Sequence, residues 1–329
     1  MGDRDKTERS KVQHELYFTD ASRPENFPFI SIKDVKNEAL HPAWYAFQDS
    51  IESVRIMSLL PQAVVSAAVN YLLILTQATF NLLNKPVLED SDLSGLTVDL
   101  NAEYARIAGS FFDRRHKIRD EMGKGLVLYN KYNLVNSPLT RGGFYAILEA
   151  QITGVWTAFQ VLTTDVCIAA VNAQPKIMLG LGDREIKLKT LLKDGSPHDW
   201  TGRMGELLRI FVRFDSFQNT VDAYEQLFRG VPAISSAINS PAARTACLVR
   251  TQLAHDGGIV TDNFVKQAED KQMDPWRKAT VGERLPLDGR NVSALSEGVI
   301  HCANDLIRAV DEWMSLPAKR AAKPRGQGQ

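Results

Sequence analysis

The sequence predicts an all-α protein, an up-down helical bundle with an additional helical region on its N-terminal side. Three observations carry this expectation. Apolar residues recur at spacings of three and four through most of the chain. No stretch alternates long enough to build a sheet core. The strongest breaks are clusters of Gly, Pro and Asp that fall between the periodic stretches.

The elements follow in order. Residues 1–35 are polar, carry Pro24 and Pro28, and read as an arm. Residues 36–138 form the N-terminal helical region. Trp44, Phe47, Ile51 and Val54 mark its first helix. Leu59 to Leu83 is a second, with Pro61 tolerated in the first turn. Gln62, Ser66, Asn70, Gln77 and Asn81 recur there at intervals of four, four, seven and four. That places a polar stripe along one side, which fits a packed helix better than a lipid-facing span, so no membrane partner is expected. Asp99 or Asn101 caps a third helix through Tyr104, Ile107, Ala108, Phe111 and Phe112. Ser137, Pro138, Gly142 and Gly143 supply the clearest internal break, and residues 139–316 make the second helical domain.

That domain begins with a long helix, Phe144 to about Asn172, with Ile147, Ile152, Val155, Trp156, Phe159 and Leu162 on its apolar side. Asp199 or Thr201 starts the next, carrying Met204, Leu207, Leu208, Ile210, Phe211 and Phe214. Val221, Tyr224, Leu227 and Phe228 define another. Ala242 to His255 is shorter and is stopped by Asp256, Gly257 and Gly258. The segment RKATVGERLPLDG suggests a short hairpin. The last helix runs from about Val292 to Met314, with Leu295, Val299, Ile300, Leu306, Ile307, Val310 and Trp313 at helical spacing. Residues 317–329 hold Lys319, Arg320, Lys323 and Arg325 without an acid and read as a basic disordered tail.

Composition narrows the function classes. The 329 residues have a formal net charge of zero, which disfavours a protein that coats nucleic acid by charge alone. A local basic cleft remains compatible. Cys167, Cys247 and Cys302 form no CxxC pair, so a disulfide framework or zinc site is not expected and a reducing, cytoplasmic compartment is. The sequence contains no HExxH, P-loop, GxSxG or dinucleotide fingerprint. GLGDRE, from Gly180, reads as an inter-helix turn. His14 and His41 fall in or near the arm, His198 precedes a helix start, and His301 lies among apolar residues of the last helix.

The informative segment is CLVRTQLAHDGGIVTDNF, Cys247 to Phe264. Arg250 and His255 stand with four residues between them near a helix end, followed by Asp256, two glycines and Asp262. Histidine is the side chain that exchanges a proton near neutral pH. Arginine presents a fork of donors that matches a phosphate. Five positions turn an ideal helix by about 140°, so convergence of the two requires the loosened geometry of a final turn. The same residues also have a purely structural reading. Arg250 then caps its helix or pairs with Asp256 or Asp262, and His255 bonds a backbone carbonyl.

This arrangement resembles the HEPN superfamily (higher eukaryote and prokaryote nucleotide-binding), whose hallmark is Arg, four to six residues, then His near a helix end. The resemblance extends to Glu149 and Trp156 on the long helix, to Arg209, Asp215, Tyr224 and Phe228, and to the closing DLIRAVDEWM, roughly Phe144 to Leu316 in all. Family members usually carry Asn, Asp or His directly after the Arg; here Thr251 supplies a hydroxyl. The resemblance implies a metal-independent endoribonuclease with no cofactor. A ribose 2′-hydroxyl attacks the adjacent phosphorus, Arg250 stabilises the phosphoryl oxygens, and His255 moves protons. It further implies a homodimer that joins two Arg/His pairs at one cleft, a toxin or antiphage setting, and an antitoxin or regulatory protein as partner. Thr251, Asp256 and Asp262 are the supporting residues. FFDRRHKIRDEMGKG, Phe111 to Gly125, looks like a degenerate copy: Arg115 is followed by polar His116, but Asp120 stands where the catalytic His would be. Arg115 and His116 are candidate phosphate contacts. The rival reading is a non-catalytic HEPN-like module that binds RNA, nucleotide or a protein.

Overall fold

The computed structural model describes residues 29–58, 138–183, 185, 202–270, 273–274 and 276–316. The expected helices at Leu59–Leu83 and after Asp99, the Arg115/His116 segment, the first part of the arm and the basic tail all lie outside the described residues. Among the described residues the protein is all-α, with eight α-helices and no strand. They are α1 (41–58), α2 (Pro138–Ala173), α3 (Met204–Phe211), α4 (Phe217–Leu227), α5 (Pro232–Ile238), α6 (Pro241–His255), α7 (Asp262–Asp270) and α8 (Gly289–Ser315).

The chain divides into two compact units: Met1–Phe18 with Met57–Ile147, and Thr19–Ile56 with Leu148–Gln329. This division differs from the boundary at 138/139 that the sequence suggests. Within the second unit, the residues before α1 are tied to the last helix. The Ile30 N–H donates to Asn304 Oδ1 at 3.2 Å, and the Lys36 and Asn37 N–H groups donate to the Asp311 carboxylate at 3.0 and 2.7 Å. Asn304 and Asp311 are both buried on α8. Residues 29–37, expected partly as a loose arm, are therefore fastened to the last helix. Phe29 meets Trp44 edge-on at 5.8 Å, and Trp44 stacks on Phe47.

The start of α2 also differs. The helix begins at Pro138 and runs through Gly142 and Gly143, where the sequence suggests a break. Proline fits the first helical turn because its missing N–H would have had no partner there. Interior glycine costs only about 1 kcal/mol relative to alanine. Residues 148–173 of α2 contribute buried Val155, Trp156, Phe159, Leu162 and Val166 to the second unit. Trp156 meets Phe217 of α4 edge-on at 5.4 Å, and the Tyr224 hydroxyl donates to the Thr163 carbonyl at 2.7 Å. Burial pushes the Tyr224 phenol well above its ordinary value and the adjacent Cys167 thiol up to about 12.

Helix α8 is the axis of this core. It buries Val292, Leu295, Val299, Ile300, Ala303, Leu306, Ile307 and Val310, and it packs against α5 and α6. Close approach to α6 is possible because residue 298 is glycine: a Cβ there would lie 2.8 Å from Ala242 Cβ. Both α5 and α6 start with proline, and Ser240 caps α6 by accepting from the Ala243 N–H at 3.1 Å. The short helices α5 and α7 are absent from the sequence expectation. His301, among apolar residues in the sequence, faces solvent: its side chain is 57% exposed, 3.8 Å from Glu297 on α8.

Candidate functional site

Arg250 and His255 both lie on α6, and the helix stays regular to its end. The Asp256 N–H donates to the Gln252 carbonyl at 3.2 Å, the ordinary helical pairing. The final turn therefore does not loosen to bring the two side chains together. Ideal helical spacing directs them about 140° apart. Burial agrees: Arg250 is half-buried, and His255 is exposed.

Arg250 has an unusual environment. Its Nε is buried and has no hydrogen-bond partner, and no acid pairs with its guanidinium among the described residues. The structural reading that ties it to Asp256 or Asp262 is thus not met. A buried donor left unsatisfied costs about 1–3 kcal/mol, and more when it belongs to a charged group. His255 likewise forms no bond to a backbone carbonyl among the described residues, so its ring is open to solvent.

The supporting residues take distinct places. Thr251 is half-buried, without a side-chain hydrogen bond among the described residues. Asp256 is the exposed C-cap of α6. Asp262 opens α7, where a negative charge favours the exposed N–H groups of the first turn. Arg115 and His116 lie outside the described residues. Among the described residues no group of three or more His, Cys, Asp or Glu forms a metal-ligand set.

The turn after His255 is built with care that the sequence did not reveal. Gly257 and Gly258 have φ of 59° and 75°, the left-handed region that side chains disfavour, and they reverse the chain. The Gly258 N–H donates to the Gln252 carbonyl at 3.1 Å, so this one oxygen receives two N–H groups. Residues 258–260 then pair with the segment 282–285. Val260 N–H donates to the Glu283 carbonyl at 2.8 Å, Gly282 N–H to Val260 at 2.9 Å and Leu285 N–H to Gly258 at 2.7 Å. Ile259 and Arg284 face each other in this single antiparallel bridge. The hairpin expected within RKATVGERLPLDG is corrected accordingly: Arg284 pairs with the turn after α6, because that turn offers open backbone groups at the matching place.

The residue that sequence reasoning missed is Gln252. It is 4% exposed, and its amide Nε2 donates to the Ile259 carbonyl. Its Oε1 accepts from the Thr261 hydroxyl at 3.3 Å, and Thr261 in turn accepts from the Phe264 N–H at 3.3 Å. A polar residue inside an apolar helical period was the only available signal.

Elsewhere the resemblance-bearing residues divide between surface polar contacts and the core. Arg209 lies 3.9 Å from Asp165 on α2, Asp215 accepts from the Asn219 amide, and Phe228 meets Trp313 edge-on at 5.0 Å. A concavity of about 360 Å³ lies between α5 and α8, lined by Ser236, Ser240, Asp305, Arg308 and Glu312 among others. The stretch Arg141–Ala173 of α2 is long and apolar enough to cross a membrane, and 56% of its most apolar window is buried within the protein. No family model matches the chain, and neither does any curated protein or solved structure.

Proposed function

We propose that the protein is a metal-independent endoribonuclease of the HEPN type, acting through Arg250 and His255. The observation that carries this reading is the Arg250 guanidinium, half-buried with an unpartnered Nε, on the same helix as an exposed, unengaged His255. A guanidinium in that condition lacks an anion. A backbone phosphate of RNA would satisfy its donors in a fork and offset the cost of burial. His255, open to solvent, is free to take the 2′-hydroxyl proton or to protonate the leaving 5′ oxygen.

The divergence of the two side chains on one helix bears on assembly. One chain does not converge them on a single phosphate, so the reading requires a homodimer in which a second copy of α6 completes the cleft. Thr251, Asp256 and Asp262 are its supporting residues, and Arg115 and His116, outside the described residues, are separate candidate phosphate contacts. A toxin or antiphage role in the cytoplasm, restrained by an antitoxin or other regulator, is part of this proposal. The same divergence favours the second reading, a non-catalytic module in which Arg250 binds RNA or nucleotide and His255 takes no part.

The test is cleavage of labelled structured RNAs in EDTA by the full chain, with Arg250→Ala and His255→Ala beside it. The expected result is cleavage by the native protein alone, leaving 2′,3′-cyclic phosphate and 5′-hydroxyl ends. Each substitution should lower the rate by at least about 100-fold, the scale of a lost oxyanion donor or proton shuttle. Equal cleavage by all three would overturn the assignment. RNA binding that needs Arg250, without cleavage, would establish the second reading.

A further inference from the structure

We propose that Gln252 is a positioning residue that sets the orientation of His255 through the turn that follows it. This inference rests on the reading of His255 as the proton-transfer group and deepens it.

The last four carbonyls of a helix lack partners within it, and its last residues fray. His255 is the last residue of α6, the position where an imidazole would wander most. Two features already stop the helix without Gln252. Gly257 and Gly258 reverse the chain, and the backbone of 258–260 is held by 282–285. An apolar residue at 252 would satisfy the packing, and burying an amide is costly unless its groups are bonded.

Here both ends of the amide are used. Nε2 holds the Ile259 carbonyl and Oε1 holds the Thr261 hydroxyl, which also caps the Phe264 N–H of α7. The backbone carbonyl of residue 252 takes the N–H groups of Asp256 and Gly258 whatever its side chain, so the amide adds to a turn already held there. One buried residue, three positions before His255, thus fixes the chain on the far side of His255. It also ties the end of α6 to the start of α7, where Asp262 stands. A buried hydrogen-bonded network favours one geometry. The consequence is a His255 whose backbone is clamped from both directions while its ring stays free to react.

The test compares the full chain with Gln252→Leu, which keeps the volume and removes both side-chain bonds, and with Thr261→Val, which removes one. Two readouts are taken. The first is kcat and KM for RNA cleavage. The second is the imidazole carbon–proton NMR signal of His255, assigned by its loss in His255→Ala, with the other histidine signals as internal controls. The expected result for Gln252→Leu is a kcat lower by roughly 10- to 100-fold, the scale of misplacing a catalytic group. KM should stay within about twofold of the native value, because Arg250 and its phosphate contact are untouched. The His255 signal should shift or broaden while the others hold, and Thr261→Val should fall between.

An unchanged kcat and an unmoved His255 signal in Gln252→Leu would overturn the proposal and leave Gln252 a structural brace. A native chain that cleaves no RNA would defeat the function assigned above. The NMR readout would then decide Gln252 alone: a moved His255 signal sustains its positioning role, and an unmoved one ends it. Should Gln252→Leu fail to fold, Thr261→Val carries both readouts.

Discussion

Asp165 on α2 is caught between two influences. Partial burial raises its carboxyl above the ordinary value, and Arg209 at 3.9 Å acts in the opposite direction with the smaller effect. A carboxyl raised in the folded state stabilises the fold only while protonated. That contribution is complete below the ordinary carboxylate value, about 3.9, and is lost as pH rises through the raised value. Asp165→Asn should therefore match the native protein in acid and exceed its urea midpoint at pH 7. A midpoint difference that does not grow with pH would count against this account. At the same scale, Asn304 and Asp311 show how a buried polar side chain on α8 can hold backbone more than 270 positions away. Arg250 is the opposite case, a part-buried donor without an acceptor.

Among the elements, close helix contacts depend on small residues at fixed places. Gly180, in the 3-10 turn Pro175–Leu181, lies against α4, where a Cβ would collide with the Gln226 carbonyl. Backbone cannot swing aside as a long side chain can. Gly180→Ala should cost about 1–3 kcal/mol, the usual range for overpacking, read as a lower urea midpoint. No change in midpoint would show that the turn is free to move away. Helices α5 and α7 show why some elements escape a reading by period. Each spans fewer than ten residues, too short for three or four apolar repeats to register. The pairing of 258–260 with 282–285 escapes for a different reason: a single bridge has no alternation to detect.

For the whole molecule, the proposed chemistry depends on association. A site completed by a second copy obeys mass action, so activity per chain should fall as the protein is diluted through its dimer dissociation constant. Sedimentation over the same concentrations should show mass passing from twice 36.7 kDa toward the single-chain value. Specific activity that stays constant while the dimer dissociates would defeat the shared cleft. Constant mass at the single-chain value with full activity would do the same.

The sequence by itself determined the class of fold and most of the long helices. α2, α4, α6 and α8 each bury a face whose apolar residues repeat at helical spacing, and that period is a local property of the chain. It also determined where α6 stops, because two adjacent glycines are a local signal, and it singled out Arg250 and His255 as chemical types at a helix end. Tertiary structure alone decided what surrounds them. Whether Arg250 finds an acid, whether residues 29–37 dock on α8, which strand-like segment meets Ile259, and what Gln252 holds all depend on residues distant in sequence that meet only on folding. A buried glutamine and an exposed one look the same in a sequence. They differ only once the chain has removed one of them from water, because only then must its amide find partners within the protein.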